Sequence, residues 1–472
     1  MNPMDVDDEP GTPPPGIGPI QWHGVPLEGF LNGNSEGITE FTNKKKKTDK
    51  YFVTNQKLDL EAYSANYTGH TKINRLTFIA DHCPPLAVEA LKMALSELKG
   101  TGDTVRYHDV YQQLLRVSQS QNVHCPPMDN SWYNATSDAA KTKRNRLEQE
   151  LKNYKNNLIK ESIRMGHNDL GDFYYDIGDL ANAMKSYSRT RDYCTTSKHI
   201  IDMCLNVIKV SIEMGNFSQI QPHFVKAEQT PEMPDRNITM GKLKCAMALA
   251  DMDQGQFKKA ARNLLDISFE MGSHFSDVIS PNDIAVYGGL LSLASFDRME
   301  LKKNVFENSD FRQYLEAEPQ IRELLQSFYN SKYQKCLDLL ENMRSDLKLD
   351  IHLHEHVDRI YQNIRQKALV QYFSPFLSVD MNKMAAAFNT DVAQLEPELA
   401  SLITENHIQA RIDSHNKILK VKSADQRSNI FETSIKMGTE YKKQAHFAML
   451  RIKLMRADLV VKTDDRDHRD HR

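Results

Sequence analysis

The sequence predicts an all-α chain of stacked helical hairpins with one small β-hairpin near its end. Three observations lead there. Leu170-Gly171-x-x-Tyr174, then Gly178, Ala183 and Tyr187, has the spacing of a helical hairpin. Its turn returns: Gly178-Asp179-Leu180, Gly215-Asn216-Phe217 and Gly255-Gln256-Phe257 lie 37 and then 40 residues apart, and Ser331-Lys332-Tyr333 follows 76 residues later. Alternation of period two occurs in one place, where Ile408, Ala410 and Ile412 point one way and Gln409, Arg411 and Asp413 the other.

The chain has 472 residues, enough for more than one structural unit. Its mean hydropathy is −0.58 and its net charge −3, so charge alone selects no partner. None of the six cysteines forms a C-x-x-C pair, which predicts reduced thiols rather than a zinc knuckle or a disulfide framework. No apolar signal segment opens the chain. The longest uncharged apolar run, between Asp283 and Asp297, is too short for a bilayer and predicts a buried helix.

In chain order, residues 1–56 are expected to be disordered. Asp5, Asp7, Asp8 and Glu9 precede Pro13-Pro14-Pro15, and Lys44, Lys45, Lys46 and Lys47 form a candidate import signal. Order should begin near Leu58. Residues 75–98 have helical period, broken at Pro84-Pro85, and Pro126-Pro127 marks a second break. From Ala139 to Lys160 a long charged helix has Leu147, Leu151 and Leu158 on its apolar side. The hairpin that follows matches the tetratricopeptide pattern, with His167 where that pattern has Trp. Gly171 should let two helices close on each other, and Ala183 should pack against the first of them. The repeats predict a solenoid from about Glu161 to Leu349, because units of this kind bury their faces only against neighbours.

Ile360, Ile364, Ala368 and Leu369 line the apolar side of a further helix that Pro375 ends. A short helix (Met381, Met384, Ala385, Phe388) stops at Asn389. Thr390 is placed to N-cap the next, which carries Val392, Leu395, Leu399, Leu402 and Ile403 on one face and ends near Asn406. Pro397 lies inside it, where a kink is expected. Ser414-His415-Asn416 turns the chain, and Ile418 to Val421 is the return strand. Two helices and a hairpin over residues 380–422 make a winged helix. Its second helix carries Asp391, Glu396, Glu398 and Glu405 with no Lys or Arg, which would repel a phosphate backbone. The wing is basic (Arg411, Lys417, Lys420, Lys422), yet nucleic acid is not expected as the main ligand. The module instead predicts packing through a strand edge formed by Ile408, Ala410, Ile412, Ile418 and Val421.

Over residues 423–460 a last helix carries Ile430, Ser434, Met437, Tyr441, Ala445, Ala448, Ile452, Met455 and Leu459 at steps of four and three. This is a coiled-coil-like seam that predicts partner helices. The charged tail, 461–472, is expected to be disordered.

Catalytic motifs are missing: the sequence has no phosphate-binding loop, no G-x-S-x-G, no kinase signature set and no H-E-x-x-H. His352, His354 and His356 invite a metal reading. On a helix His352 and His356 would share a face, but no third ligand is evident, and a surface histidine cluster is expected. In the zinc isopeptidase motif H-x-H-x7-S-x2-D, counting from His354 puts Gln362 at the Ser and Arg365 at the Asp, so the motif fails.

A helical-repeat solenoid running into a winged helix resembles the PCI-domain family, shared by the proteasome lid, the COP-nine signalosome and translation initiation factor three. The stretches RLTFIADHCP, VEALKMAL, LKNYKNNLIKESIRMGHNDLGDFY, GDLANAMKSYSRTRDYC, NVIKVSIEMGNF, YGGLLSLASFDR, QYFSPF, MAAAFNT and ARIDSHNKIL resemble the subunit-one family of the signalosome. The resemblance runs from about Leu58 to the last helix. It implies helical repeats over 57–255, a PCI domain over 256–422, and a non-catalytic scaffold with no cofactor and no metal. It implies a complex, nuclear and cytoplasmic, that removes a ubiquitin-like modifier from cullins and so regulates cullin-RING ubiquitin ligases. Partners would be other PCI subunits and a zinc-isopeptidase subunit, with no membrane. Winged helices of this family associate edge to edge and C-terminal helices gather in a bundle, which implies interface roles for the strands named above and for Met437, Tyr441, Ala445, Ala448, Ile452, Met455 and Leu459.

Overall fold

Several helices in this chain end where one residue takes left-handed backbone. In the computed structural model, which describes residues 52–53, 58–231, 233, 235–422, 426–457 and 459, Gly178, Gly215 and Gly255 have φ of 78°, 69° and 72°, and Ser331 has 60°. Each is followed by the same pair of bonds. Gly178 donates to Tyr175 O and Asp179 to Tyr174 O; Ser331 donates to Phe328 O and Lys332 to Ser327 O. Such a cap satisfies carbonyls that the helix leaves open, and glycine takes it without a Cβ clash. The four recurring turns are therefore one device, and the fourth accepts serine.

The first layer holds α1 (Leu60–Ala65), α2 (Gly69–His82), α3 (Ala87–Leu98) and α4 (Thr104–Gln121), with Pro84–Leu86 as a 3₁₀ turn between α2 and α3. Ile73, Leu76, Ile79, Leu91, Leu98 and Leu114 fill its core. Val53 joins that core, and its N–H donates to His82 O at 2.9 Å, so packed chain begins before Leu58 and inside the segment expected to be disordered. The acidic cluster, Lys44 to Lys47 and the tail lie outside the described residues. Next comes α5 (Asn130–Asn156), capped by the Asp129 carboxylate, which accepts from Trp132 N. Leu147 and Leu151 are buried. Leu158 is not: the chain reverses there at φ 55°, leaving it 80% exposed.

The solenoid follows as α6 (Lys160–Asp176), α7 (Leu180–Thr190), α8 (Ser197–Glu213), α9 (Ile220–Glu228), α10 (Arg236–Asp253), α11 (Phe257–Leu265), α12 (Pro281–Ser295), α13 (Arg298–Leu301), α14 (Ser309–Ala317), α15 (Pro319–Tyr329), α16 (Tyr333–Leu347) and α17 (Val357–Phe373). A Cβ added at Gly171 would lie 2.6 Å from the Tyr187 ring, so the α6–α7 approach depends on that glycine. His167 is buried and stacks on Tyr193, taking the aromatic place the repeat pattern gives to Trp. The apolar run is α12, buried on nearly every side and started by a Ser280–Asp283 capping box. One apolar core runs unbroken from Ala183 through α12 to Leu419.

The winged helix holds β1 (Ser378–Asp380), α18 (Met381–Ala387), α19 (Val392–Thr404), β2 (Ala410–Asp413) and β3 (Ile418–Val421). The sheet is antiparallel in order β1-β3-β2, with Val379 opposite Leu419 and Ile412 opposite Leu419 on the other side. The expected hairpin is thus joined by a third strand, too short to show a period. Asp391, not Thr390, sits at the N-cap of α19; the Thr390 hydroxyl instead accepts from Arg365 at 3.3 Å. Pro397 lies within α19. Asn389 and Asn406, at φ 51° and 60°, end the two helices. The last helix is α20 (Gln426–Arg456). Among the described residues no helix is long and apolar enough to cross a membrane, and all six cysteines are free thiols.

Candidate assembly surfaces

In an antiparallel sheet the N–H and C=O of one residue point to the same side, and successive residues alternate. Val421 N donates to Leu377 O, toward β1, and Lys422 N donates to Gln409 O, toward β2. Leu419 and Val421 therefore serve β1, while Ile418 and Lys420 serve β2. With both sides paired, β3 offers no edge, which removes Ile418 and Val421 from the expected one. On β2 the residues that turn their backbone groups outward are Ala410 and Ile412. The side chains of Ile408 and Ala410 are each 4% exposed, inside the chain's own core, and Ile412 is half-buried. What the sheet presents along β2 is thus main chain, with Arg411 beside it.

The acidic face of α19 is partly neutralised from within. Lys417 of the wing reaches Glu396 at 2.6 Å and Arg365 of α17 reaches Glu398 at 2.9 Å. These pairs commit one cation of the basic wing to the chain itself, which further weakens a phosphate-binding reading.

The helix α20 contrasts with everything before it. Met437, Tyr441, Ile452 and Met455 are 66%, 74%, 48% and 47% exposed, and Ala448 is exposed with Ala445 half-buried. Phe431, Ile435, Phe447, Leu450 and Leu454, off the expected seam, are exposed as well. The helix is therefore apolar over more of its circumference than one seam. Leu459 lies past its end at Arg456, so the seam loses its last member. Isolated exposed apolar residues are ordinary; a run over eight turns makes α20 a candidate interaction surface.

The histidines form no cluster. Residues 351–356 are a turn rather than a helix, and each ring meets a different neighbour. His354 packs on Phe78 at 4.8 Å and His356 edge-on to Phe257 at 5.8 Å. Burial, with Arg75 adding to it, lowers His352 to about 4. They are partly buried packing residues, not a surface patch. Among the described residues no group of three or more His, Cys, Asp or Glu could hold a metal.

Sequence reading missed the most polar part of the interior. Arg75 of α2 is 1% exposed and bonds Asp283 of α12 at 2.9 Å, Asp350 at 2.7 Å and the Tyr63 hydroxyl at 2.7 Å. Tyr67 donates to Asp283 at 2.6 Å and Tyr287 to Asp350 at 2.7 Å, while the Tyr67 ring lies 4.1 Å from the guanidinium carbon. Burial pushes the guanidinium down, and Asp283 with the tyrosines more than offsets it, so Arg75 stays charged. The clasp ties the first layer to the middle of the solenoid. Within RLTFIADH it reads as one polar residue among others, because its partners are 208 and 275 residues away.

A helical-repeat stack that feeds a three-stranded winged helix is the architecture of a PCI-domain protein. The PCI domain profile matches residues 310–423, and the profile of 26S proteasome subunit RPN7 matches residues 129–304. COP9 signalosome complex subunit 1 of Arabidopsis thaliana is 49% identical over 408 residues, 86% of this chain and 91% of the relative. Subunit 1b of Drosophila melanogaster is 40% identical over 90% of both chains. The 26S proteasome non-ATPase regulatory subunit 6 of Caenorhabditis elegans is more distant, 25% identical over 61% of this chain and 72% of the relative. The chain belongs to the COP9 signalosome complex subunit 1 family.

Proposed function

We propose that this chain is a non-catalytic scaffold subunit of the signalosome. In this reading it supports removal of a ubiquitin-like modifier from cullins and so regulates cullin-RING ubiquitin ligases, in nucleus and cytoplasm. Its partners are other PCI-domain subunits and a zinc-isopeptidase subunit. The observation that carries the scaffold role is the bare apolar helix α20, placed directly after a sheet whose β2 edge presents open main chain. Both surfaces need other chains to complete them. A role outside the chemistry is supported by Arg365, which stands where the isopeptidase motif needs a metal-binding Asp and is held by Glu398. Lys44 to Lys47 would supply nuclear import.

The test is affinity purification of the tagged chain from cells at moderate salt, with co-purifying proteins quantified. The expected result is stoichiometric recovery of PCI subunits and a zinc isopeptidase, with cullin-modifier cleavage in the eluate. Ile452→Asp plus Met455→Asp should lose that recovery while the chain stays folded. Normal incorporation of the double variant would overturn the role given to α20.

A further inference from the structure

A groove of about 470 Å³ runs between the second half of α5 and the α6–α7 hairpin. Its walls are cationic. Lys152 and Lys155, one turn apart on α5, line it together with Lys185 and Arg189, one turn apart on α7. All four are exposed, and among the described residues none of them is in an ion pair. The one acid in the lining, Glu148, already accepts from Arg144 at 2.9 Å and from the Tyr174 hydroxyl at 3.2 Å.

Other cations of α5 are paired. One and two turns earlier, Arg144 and Arg146 each find a glutamate four residues on. Like charges gathered without counter-charges repel one another, and a chain of net charge −3 has acids enough to neutralise them. Within reach of both walls on α6 is His167, 2% exposed, whose Nδ1 has no hydrogen-bond partner. Burial, with Lys155 and Arg189 from the two walls adding to it, lowers its ring to about 4, so one cation from each wall acts on the same point.

We propose that this groove binds an acidic peptide segment of a partner protein, with carboxylate or phosphate side chains seated between the Lys152–Lys155 and Lys185–Arg189 walls. Ammonium and guanidinium donors at close quarters match such anions, and a phosphorylated side chain brings close to two charges and three acceptor oxygens. A nucleic acid fits less well. The lining holds a single aromatic ring, Tyr174, where a single strand needs several for successive bases to stack on.

The experiment is fluorescence anisotropy on the full-length chain. The probe is a labelled peptide alternating aspartate and phosphoserine, set against a neutral peptide of equal length and a labelled single-stranded RNA. Binding of the acidic peptide that weakens with added salt is expected, with none of the neutral one. Lys185→Ala plus Arg189→Ala should weaken it roughly tenfold or more, and Lys152→Ala plus Lys155→Ala similarly, each wall carrying about 1.4 kcal/mol or more. Arg146→Ala, outside the groove, should leave it unchanged, and thermal melts check that each variant is folded. No binding of the acidic peptide, affinity unmoved by either wall variant, or RNA held more tightly than peptide would each overturn the proposal.

Discussion

The Arg75 clasp and α20 depart from ordinary burial in opposite directions. The clasp puts a charge where apolar groups belong; α20 puts apolar groups where charge belongs. The clasp is closed within the chain: two carboxylates and two tyrosine hydroxyls accept from one guanidinium, and Nε alone lacks a partner. Nothing completes α20 among the described residues. A buried charge must be satisfied by the fold itself, because an unpaired one would unfold it. An apolar helix in water costs solubility rather than the fold, so its completion can wait for another chain. The first feature is therefore a device of folding, and the second is the feature on which the proposed assembly role rests.

The largest effect should come from breaking the clasp. Arg75→Met strands Asp283 and Asp350 and should lower stability by about 3–5 kcal/mol, read as a fall in denaturation midpoint. A loss under about 1 kcal/mol would mean that apolar packing, not the clasp, joins the first layer to the solenoid. Gly171→Ala comes next. Its methyl meets the Tyr187 ring, and about 1–3 kcal/mol should be lost as α6 and α7 separate. At the other pole, Ile452→Asp plus Met455→Asp should change the stability of the isolated chain by no more than about 0.5 kcal/mol while removing assembly. A large stability loss there would show that α20 packs on its own chain.

A subtler contrast lies where α2 and α4 meet the solenoid. Burial pushes the Glu213 carboxyl up to about 7, with Tyr175 donating to it, and burial pushes His70 down to about 4. Between its ordinary 4.5 and about 7, folded Glu213 holds more proton than the unfolded chain, so its contribution is lost as pH rises through 7. Folded His70 holds less proton between about 4 and 6.5, so its contribution is lost as pH falls through 4. The two slopes oppose each other between pH 4.5 and 6.5. Glu213→Gln should leave the histidine slope alone, so that stability rises with pH across that window. Denaturation at several pH values measures this, and an unchanged profile would remove Glu213 from the balance.

Much of the fold was legible because its signals are local. The cap at each of the four recurring turns is set by one residue with left-handed backbone, which is why turns at different depths in the chain could be seen as one. The winged-helix hairpin showed through its alternation, and α17 and α18 through apolar residues that all proved buried. The candidate assembly surfaces were legible in part. The apolar content of α20 is plain in sequence, but its circumference and its end at Arg456 are not.

The sequence by itself determined where most of the helices lie, which of their faces are apolar, and that the last helix is rich in apolar residues. These follow from backbone preferences and side-chain periodicity over a few residues. Only the tertiary structure decided what distant segments do to one another. Val53 docks under α2, and Ser378–Asp380 becomes a strand because Ile418–Lys420 pairs with it. Arg75 becomes the centre of the interior because Asp283 and Asp350 come to it, and four cations of α5 and α7 come to line one groove. The physical reason is the same throughout: a contact between residues tens to hundreds of positions apart leaves no period in the sequence, and its energy exists only once the chain has closed around it.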